Sequence, residues 1–286
     1  MKYYIRSKYL NDELFMNKVY FYGFTLVLWL CTACQQNQAK RTEAVPAKEV
    51  NPKENPTTDS LVFQDKMIRI YKIDSISFFK GKEQADYHRD TIASISDINV
   101  VKKLLQGRVK FAGYSPDKPM EIDTLVVGNS LAQVKFNDGR VVEAGKTDGT
   151  IDLLENVFVK YFPSEEILLL EGGHTTDQAL DLRQGKWHIE EIGNLDYVYF
   201  SKHKKYRLNG MFNGQECSSY FLQKEENGNY LTYAQIPLDW VDNFELCTLK
   251  EIFWKDDQQL YFRNFFYGAP DDKRAAFYRV AIISEN

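Results

Sequence analysis

The sequence is short of cysteine and histidine, and each shortage removes a class of protein. Four cysteines stand in 286 residues. They are Cys31, Cys34, Cys217 and Cys247, too few for a disulfide-knit scaffold, and the two that follow the N-terminal apolar stretch, Cys217 and Cys247, are not in the Cys-x-x-Cys arrangement of a structural zinc or thioredoxin-like site. The four histidines, His88, His174, His188 and His203, include no i, i+4 pair on an expected helix, so no metal centre is expected. No glycine-rich phosphate loop opens a helix and no Gly-x-Ser-x-Gly elbow occurs, so neither a cofactor nor an α/β-hydrolase nucleophile is expected. Neither sign of charge dominates, with 36 basic and 40 acidic side chains. A mildly acidic chain has no electrostatic reason to seek nucleic acid or anionic lipid. Long hydrophobic runs are missing too. The most apolar stretch, Val19 to Leu30 (VYFYGFTLVLWL), falls short of the roughly 20 residues a spanning helix needs.

What is present in quantity is aromatic: 18 Tyr and 19 Phe, residue types that favour strands. The apolar stretch near the N-terminus has Lys18 before it and the small residues Thr32 and Ala33 after it, the layout of a secretory signal. It ends Leu30-Cys31-Thr32-Ala33-Cys34. This resembles a bacterial lipobox, with Cys31 standing where the family usually has Leu. The resemblance implies cleavage before Cys34 and attachment of acyl chains, palmitate among them, to that cysteine. Residues 1–33 are therefore expected to be a signal peptide. The polar stretch Met1 to Phe15 is unlike a signal n-region, and translation is expected to start at Met16. Removing residues 1–33 takes away Lys2, Arg6, Lys8, Lys18, Asp12 and Glu13, leaving 32 basic against 38 acidic side chains. Membrane attachment would then come from the acyl chains, at roughly 0.8 kcal/mol per buried CH₂.

Residues 34–60 form the lipidated cysteine and a linker with Pro46, Pro52 and Pro56 and no aromatic residue. Such a composition cannot bury enough apolar surface to offset its ordering entropy. In Bacteroidota-type lipoproteins an acidic run after the cysteine accompanies surface display. Gln35-Gln36-Asn37 is neutral, so the expected location is the outer membrane, facing the periplasm.

Residues 61–155 read as a small α+β segment. Met67, Ile68, Ile70, Ile73, Ile76, Phe78 and Phe79 mark one or two strands, with a further short strand at Thr91 to Ile95. Ser96 is placed to cap a helix over about Asp97 to Gln106, where Ile98, Val101, Leu104 and Leu105 recur at helical spacing and Gly107 is a fitting stop. Arg108 to Ala112 and Ile122 to Val127 read as strands. Leu131 to Phe136 and Arg140 to Val142 flank the hairpin turn Asn137-Asp138-Gly139.

Residues 156–286 read as almost wholly β, in three loose repeats of strand, polar turn, strand, loop, strand. The first takes Phe158–Phe162, Ile167–Leu170 and Gln178–Leu182. The second takes Tyr197–Phe200, Tyr206–Leu208 and Ser219–Leu222. The third takes Lys250–Trp254, Leu260–Phe262 and Ala276–Val280. The spacing resembles the blades of β-propellers, but three units are fewer than the roughly four at which propellers begin. The expected fold is mainly β with minor α, built of antiparallel sheets, its C-terminal part a blade-like meander or sandwich. The mature chain thus loosely resembles Bacteroidota-type lipoproteins with blade-like β repeats, a likeness that carries no functional residues across.

Candidate chemistry is sparse. Glu171-Gly172-Gly173-His174-Thr175-Thr176-Asp177 sets an imidazole near a carboxylate, as acid–base catalysis by His174 and Asp177 would need. The competing reading is a tight loop in which the glycines supply positive φ and Thr176 or Asp177 bonds to the backbone. His88-Arg89-Asp90 matches a kinase catalytic-loop tripeptide, but Ile95 stands where the required Asn would be and no Asp-Phe-Gly occurs. Trp187, Trp240 and Trp254, amid many tyrosines, are candidates for a ligand-stacking platform, against a core reading. Cys217 and Cys247 are the candidate disulfide. The function expected is a membrane-tethered, non-enzymatic binding or structural module of the cell envelope, with an envelope protein or a glycan as partner. The alternatives are a glycan-binding lipoprotein using aromatic platforms, or a hydrolase with its site near His174.

Overall fold

Sixteen strands and three α-helices make up the regular structure of the described residues of the computed structural model, which are 59–118, 121–144, 156–214, 218–237, 248–265 and 276–283. All lie in the unit Glu54–Asn286. The signal, the lipobox cysteine, nearly all of the linker, Cys217, Trp240 and Cys247 lie outside the described residues. The fold is mainly antiparallel β with minor α, as the sequence leads one to expect.

Three sheets carry the architecture. In the five-stranded sheet, β1 (Ser60–Gln64) and β2 (Ile68–Ile73) pair with the last three strands, β14 (Thr248–Trp254), β15 (Gln259–Phe265) and β16 (Phe277–Ile282), in the order β1-β2-β16-β15-β14. The first hairpin thus completes a sheet begun by the end of the chain, with Ile70 opposite Val280 and Ile68 opposite Ile282. The four-stranded sheet is the meander β10 (Tyr199–Phe200), β11 (Tyr206–Met211), β12 (Ser219–Glu226) and β13 (Asn229–Ile236). The seven-stranded sheet contains β3 (Val109–Tyr114), β4 (Ile122–Asp123), β5 (Ser130–Lys135), β6 (Val141–Glu143), β7 (Val157–Phe162), β8 (Ile167–Glu171) and β9 (Asp177–Asp181). Its order is β4-β3-β5-β7-β8-β9, and β6 also pairs β5. Strand pairing therefore crosses the region around residue 155 through β2 with β16 and through β5 with β7, and an isolated bridge from Ile95 to Tyr161 crosses it as well.

The three repeats correspond to β7-β8-β9, β10-β11-β12 and β14-β15-β16. β13 joins the second as a strand the sequence reading did not assign. Its signal is the Asn227-Gly228 turn, where both residues have positive φ (54° and 82°), as a tight hairpin requires. The Asn137-Asp138-Gly139 hairpin forms with Gly139 at φ 88°. The strand expected at Thr91 to Ile95 is reduced to a single bridge from Ile95 to Tyr161. The strand expected over Ile122 to Val127 stops at Asp123.

One element differs in kind. Ile76, Phe78 and Phe79 do not extend a strand; they belong to helix α1 (Ser75–Ala85). Asp74 caps it, its carboxylate accepting from the Ser77 amide at 2.7 Å. The buried residues Phe78, Gly81 and Ala85 recur at helical spacing. A strand would have sent Phe78 and Phe79 to opposite faces. The helix drives Phe78 into a box of Phe253, Tyr261 and Phe277, with ring centroids 4.7 to 6.4 Å away. Full burial of one such ring contributes about 1.5–3 kcal/mol. Helix α2 (Ile98–Leu104) forms as expected, one residue later at its start, with Asp97 rather than Ser96 as the cap.

The layers follow from side-chain faces. Ile68, Ile70, Trp254, Phe262 and Val280 of the five-stranded sheet meet Tyr206, Leu208, Tyr220, Leu222 and Ile236 of the four-stranded sheet in one core. In β8 the run Ile167-Leu168-Leu169-Leu170 is buried throughout, as in a strand covered on both faces. Leu168 and Leu170 face α2 and β5, whereas Ile167 and Leu169 face α3 (Ile189–Ile192) and the 3₁₀ turn Leu195–Tyr197. The β8–β9 hairpin and α3 thereby lie against the second face of the four-stranded sheet.

Candidate functional site

The second face of β11 and β12 is polar yet buried. Alternation along β11 sends Tyr206 and Leu208 into the apolar core and Arg207 and Asn209 the other way. Arg207 is 1% exposed, Asn209 0% and the facing Gln223 of β12 1%. Burying such groups is costly unless each is paired, and they are. Arg207 Nε donates to Gln223 Oε1 at 2.7 Å, and Arg207 Nη1 donates to Glu165 Oε1 at 2.6 Å. Asn209 Nδ2 donates to Gln223 Oε1 and to the carbonyl of Ile192 at the end of α3. Gln223 Nε2 donates to the carbonyl of Glu191 at 2.7 Å. The Arg207 Cζ lies over the Tyr230 ring on β13, 4.0 Å from its centre, a cation–π contact. The Tyr230 hydroxyl donates to the carbonyl of Lys204, and burial pushes its pKa up.

This network floors an open cavity of about 600 Å³, within the ordinary range of ligand sites. The turn between β7 and β8 supplies Glu165, which reaches across to Arg207. The last residue of β9 is Asp181, whose Oδ1 accepts the amides of Arg183 and Gln184 in the turn that follows, at 2.8 Å each. Burial raises the Asp181 pKa, and those two amide bonds oppose the rise. Lys186 and Glu191, 3.5 Å apart, stand at the rim. The carbonyls of α3 are tied down by Gln223 and Asn209, and Gly193 lets the chain leave the helix there. At φ 74°, a Cβ on Gly193 would come within 2.4 Å of Asn209 Nδ2. Among the described residues no histidine or cysteine lines the cavity.

The residues singled out from sequence fall elsewhere. The backbone of His174 lies in a 3₁₀ turn, Gly173–Thr175, while its side chain lies outside the described residues. Asp177 is a structural acceptor: its Oδ2 takes Asn194 Nδ2 at 2.9 Å and the Phe212 amide at 2.7 Å. Burial raises its pKa, and those two bonds work against the rise. Trp254 is 0% exposed, with its indole N–H donated to the carbonyl of Tyr199 at 2.8 Å, so it offers no stacking platform. Its place in the strand alternation of β14 turns it into the core shared by two sheets. Trp187 is half-buried against the core of the seven-stranded sheet. His88-Arg89-Asp90 serves as a clamp: Arg89 binds the carbonyls of Val198 and Asp196 and covers the Tyr199 ring, and Asp90 pairs with Lys204.

Sequence reading passed over the Arg207 cavity. Its one local sign was the pair of polar residues, Arg207 and Asn209, alternating with Tyr206 and Leu208 in a strand. That pattern ordinarily marks a solvated face. Among the described residues no group of three or more His, Cys, Asp or Glu side chains is placed to hold a metal ion, and no helix is long and apolar enough to cross a membrane. No protein-family model matches the chain, and comparison with curated proteins and with solved structures likewise gave no match.

Proposed function

We propose that this chain is a lipid-tethered binding module of the cell envelope that holds a small polar ligand in the Arg207 cavity. The observation that carries the binding half is the buried arginine. Its Nε and Nη1 are bonded to Gln223 and Glu165, but Nη2 has no hydrogen-bond partner among the described residues, and Arg207 lines the cavity. A fold that needed only stability would place apolar side chains at Arg207, Asn209 and Gln223, since a well-packed apolar replacement of a buried ion pair is often neutral or stabilising by about 1–4 kcal/mol. Retaining the polar set is sensible where it serves recognition. Among the described residues the cavity lining holds no nucleophile–imidazole pair. The tether rests on the lipobox-like sequence ending at Cys34 and on the polar linker that follows.

Both halves are open to direct test. A thermal-shift screen of polar metabolites and oligosaccharides should yield stabilising hits that vanish in Gln184→Trp, a substitution on the exposed rim turn that plugs the cavity without touching its floor. Hits indifferent to Gln184→Trp would defeat the site reading. Mass spectrometry of the mature N-terminus should find a diacylglyceryl-modified Cys34, and Cys34→Ser should leave the membrane fraction. An unmodified Cys34 would defeat the tether.

A further inference from the structure

Resting on the reading of the Arg207 cavity as a ligand site, we infer that its ligand is an uncharged polyhydroxylated molecule, a neutral saccharide, held by hydrogen bonds and not by net charge.

The first argument is electrostatic. The cavity is lined by three basic side chains (Arg183, Lys186, Arg207) and four acidic ones (Glu165, Asp181, Glu190, Glu191). The innermost charges are already compensated. Arg207 is held by Glu165 at 2.6 Å and Lys186 faces Glu191 at 3.5 Å. Arg183 spends its guanidinium on Asn229 Oδ1 and on the Ser164 carbonyl. A carboxylate or phosphate seated on Arg207 would stand beside Glu165. An ammonium would stand beside Arg207. The anion would meet a lining that is acidic by one charge, and the cation would give up hydration beside a guanidinium that already holds Glu165.

The second argument is the inventory of open hydrogen-bonding atoms. Arg207 Nη2 is an open donor. Glu165 Oε2 and Asp181 Oδ2 are open acceptors among the described residues, because each carboxylate uses its other oxygen for Arg207 or for the two turn amides. A hydroxyl is the smallest neutral group that meets both kinds, accepting from a guanidinium and donating to a carboxylate through one oxygen. Several hydroxyls on one ring would satisfy several such pairs without importing charge. The remaining lining includes Ile167, Ile192 and Leu231, apolar surface for the C–H faces of a pyranose. This route to saccharide binding does not depend on Trp254, which is buried. It uses hydrogen bonds of the type strengthened when one partner is ionised.

Titration calorimetry on the full chain in detergent tests the assignment. The probes are glucose, galactose and N-acetylglucosamine with their β-linked di- and trimers, beside glucuronic acid, glycine and glutamate as charged comparisons. A neutral saccharide should bind with a Kd that changes less than about twofold between roughly 50 and 500 mM NaCl, because no net charge is neutralised. Gln184→Trp should weaken it at least about tenfold. Asp181→Asn keeps one oxygen for the turn amides and replaces the open acceptor by a donor. It should likewise weaken binding about tenfold with an unchanged melting temperature. Failure of every neutral saccharide to bind overturns the assignment. A charged probe that binds with salt-sensitive affinity, and is lost in Gln184→Trp, overturns the ligand class while leaving the cavity as the site. Saccharide binding undiminished in Gln184→Trp places the ligand elsewhere and overturns both readings.

Discussion

Two regions of this molecule are equally buried and differently built. Around Phe78 the five-stranded sheet and α1 enclose an aromatic box of Phe253, Tyr261 and Phe277. On the far side of the four-stranded sheet, Arg207, Asn209 and Gln223 are as inaccessible as Phe78, at 0–1% exposure. There they are organised by directional bonds to Glu165 and to the carbonyls of α3. The box tolerates any arrangement that fills its volume. The polar floor accepts only one, because an unpaired buried group costs its full desolvation. Burial alone therefore does not distinguish a core from a site. What separates them is whether the buried groups are interchangeable.

The largest expected effect lies in the box. Phe78→Ala should lower unfolding free energy by about 4 kcal/mol in denaturant titration, since it opens a cavity among aromatic rings that cannot all collapse. A loss under about 1 kcal/mol would mean that α1 does not hold the five-stranded sheet. The polar floor should come next and should behave differently. Arg207→Met should cost about 3 kcal/mol by leaving the Glu165 carboxylate without its cationic partner. Glu165 keeps some access to solvent, with 22% of its side chain exposed, and this limits the loss. Combining Arg207→Met with Glu165→Leu should recover most of it while abolishing ligand binding. Recovery of binding in the double variant would break the contrast between packing and recognition.

Gly193→Ala should cost about 2 kcal/mol, because alanine is strained at φ 74° and its Cβ would overlap Asn209. A smaller value would show that α3 can shift away from the polar floor. The smallest effect concerns pH. Asp257 accepts from the His203 amide and ring, each at 2.8 Å. Burial raises its pKa, but these bonds and one from the Ser201 side chain outweigh it and hold the carboxyl below the ordinary aspartate range. A folded pKa below the unfolded one contributes stability that is present above the unfolded pKa and lost as pH falls through the folded one. Asp257→Asn should cost about 1 kcal/mol at neutral pH, and its deficit should shrink on acidification. Asp181 at the cavity has the opposite sign. Its raised pKa means that acidification through that pKa favours the folded state. An NMR titration in which Asp257 ionises at or above the pH of Asp181 would erase this difference between the two carboxylates.

How far the sequence spoke for itself varies by element. The hairpin at Asn137-Asp138-Gly139 and helix α2 were legible because their signals are local: a turn that needs positive φ, and apolar spacing closed by a glycine. Helix α1 was misread because Ile73, Ile76, Phe78 and Phe79 run on directly from β2 without a glycine or proline between them. The cap that interrupts the strand, Asp74, is a single residue. The candidate site was not legible at all. Glu165, Arg207 and Gln223 are separated by 42 and 16 positions along the chain, and no spacing rule joins them.

The sequence by itself determined the antiparallel strands, their turns and the alternation that sends Arg207 and Asn209 to one face of β11 while Tyr206 and Leu208 go to the other. Only the tertiary structure decided that this polar face would be covered. Periodicity tells which side chains share a face, but whether that face meets water depends on a distant segment. Here the β8–β9 hairpin and α3 fold over it, and a row that would have been solvated becomes the buried floor of a cavity.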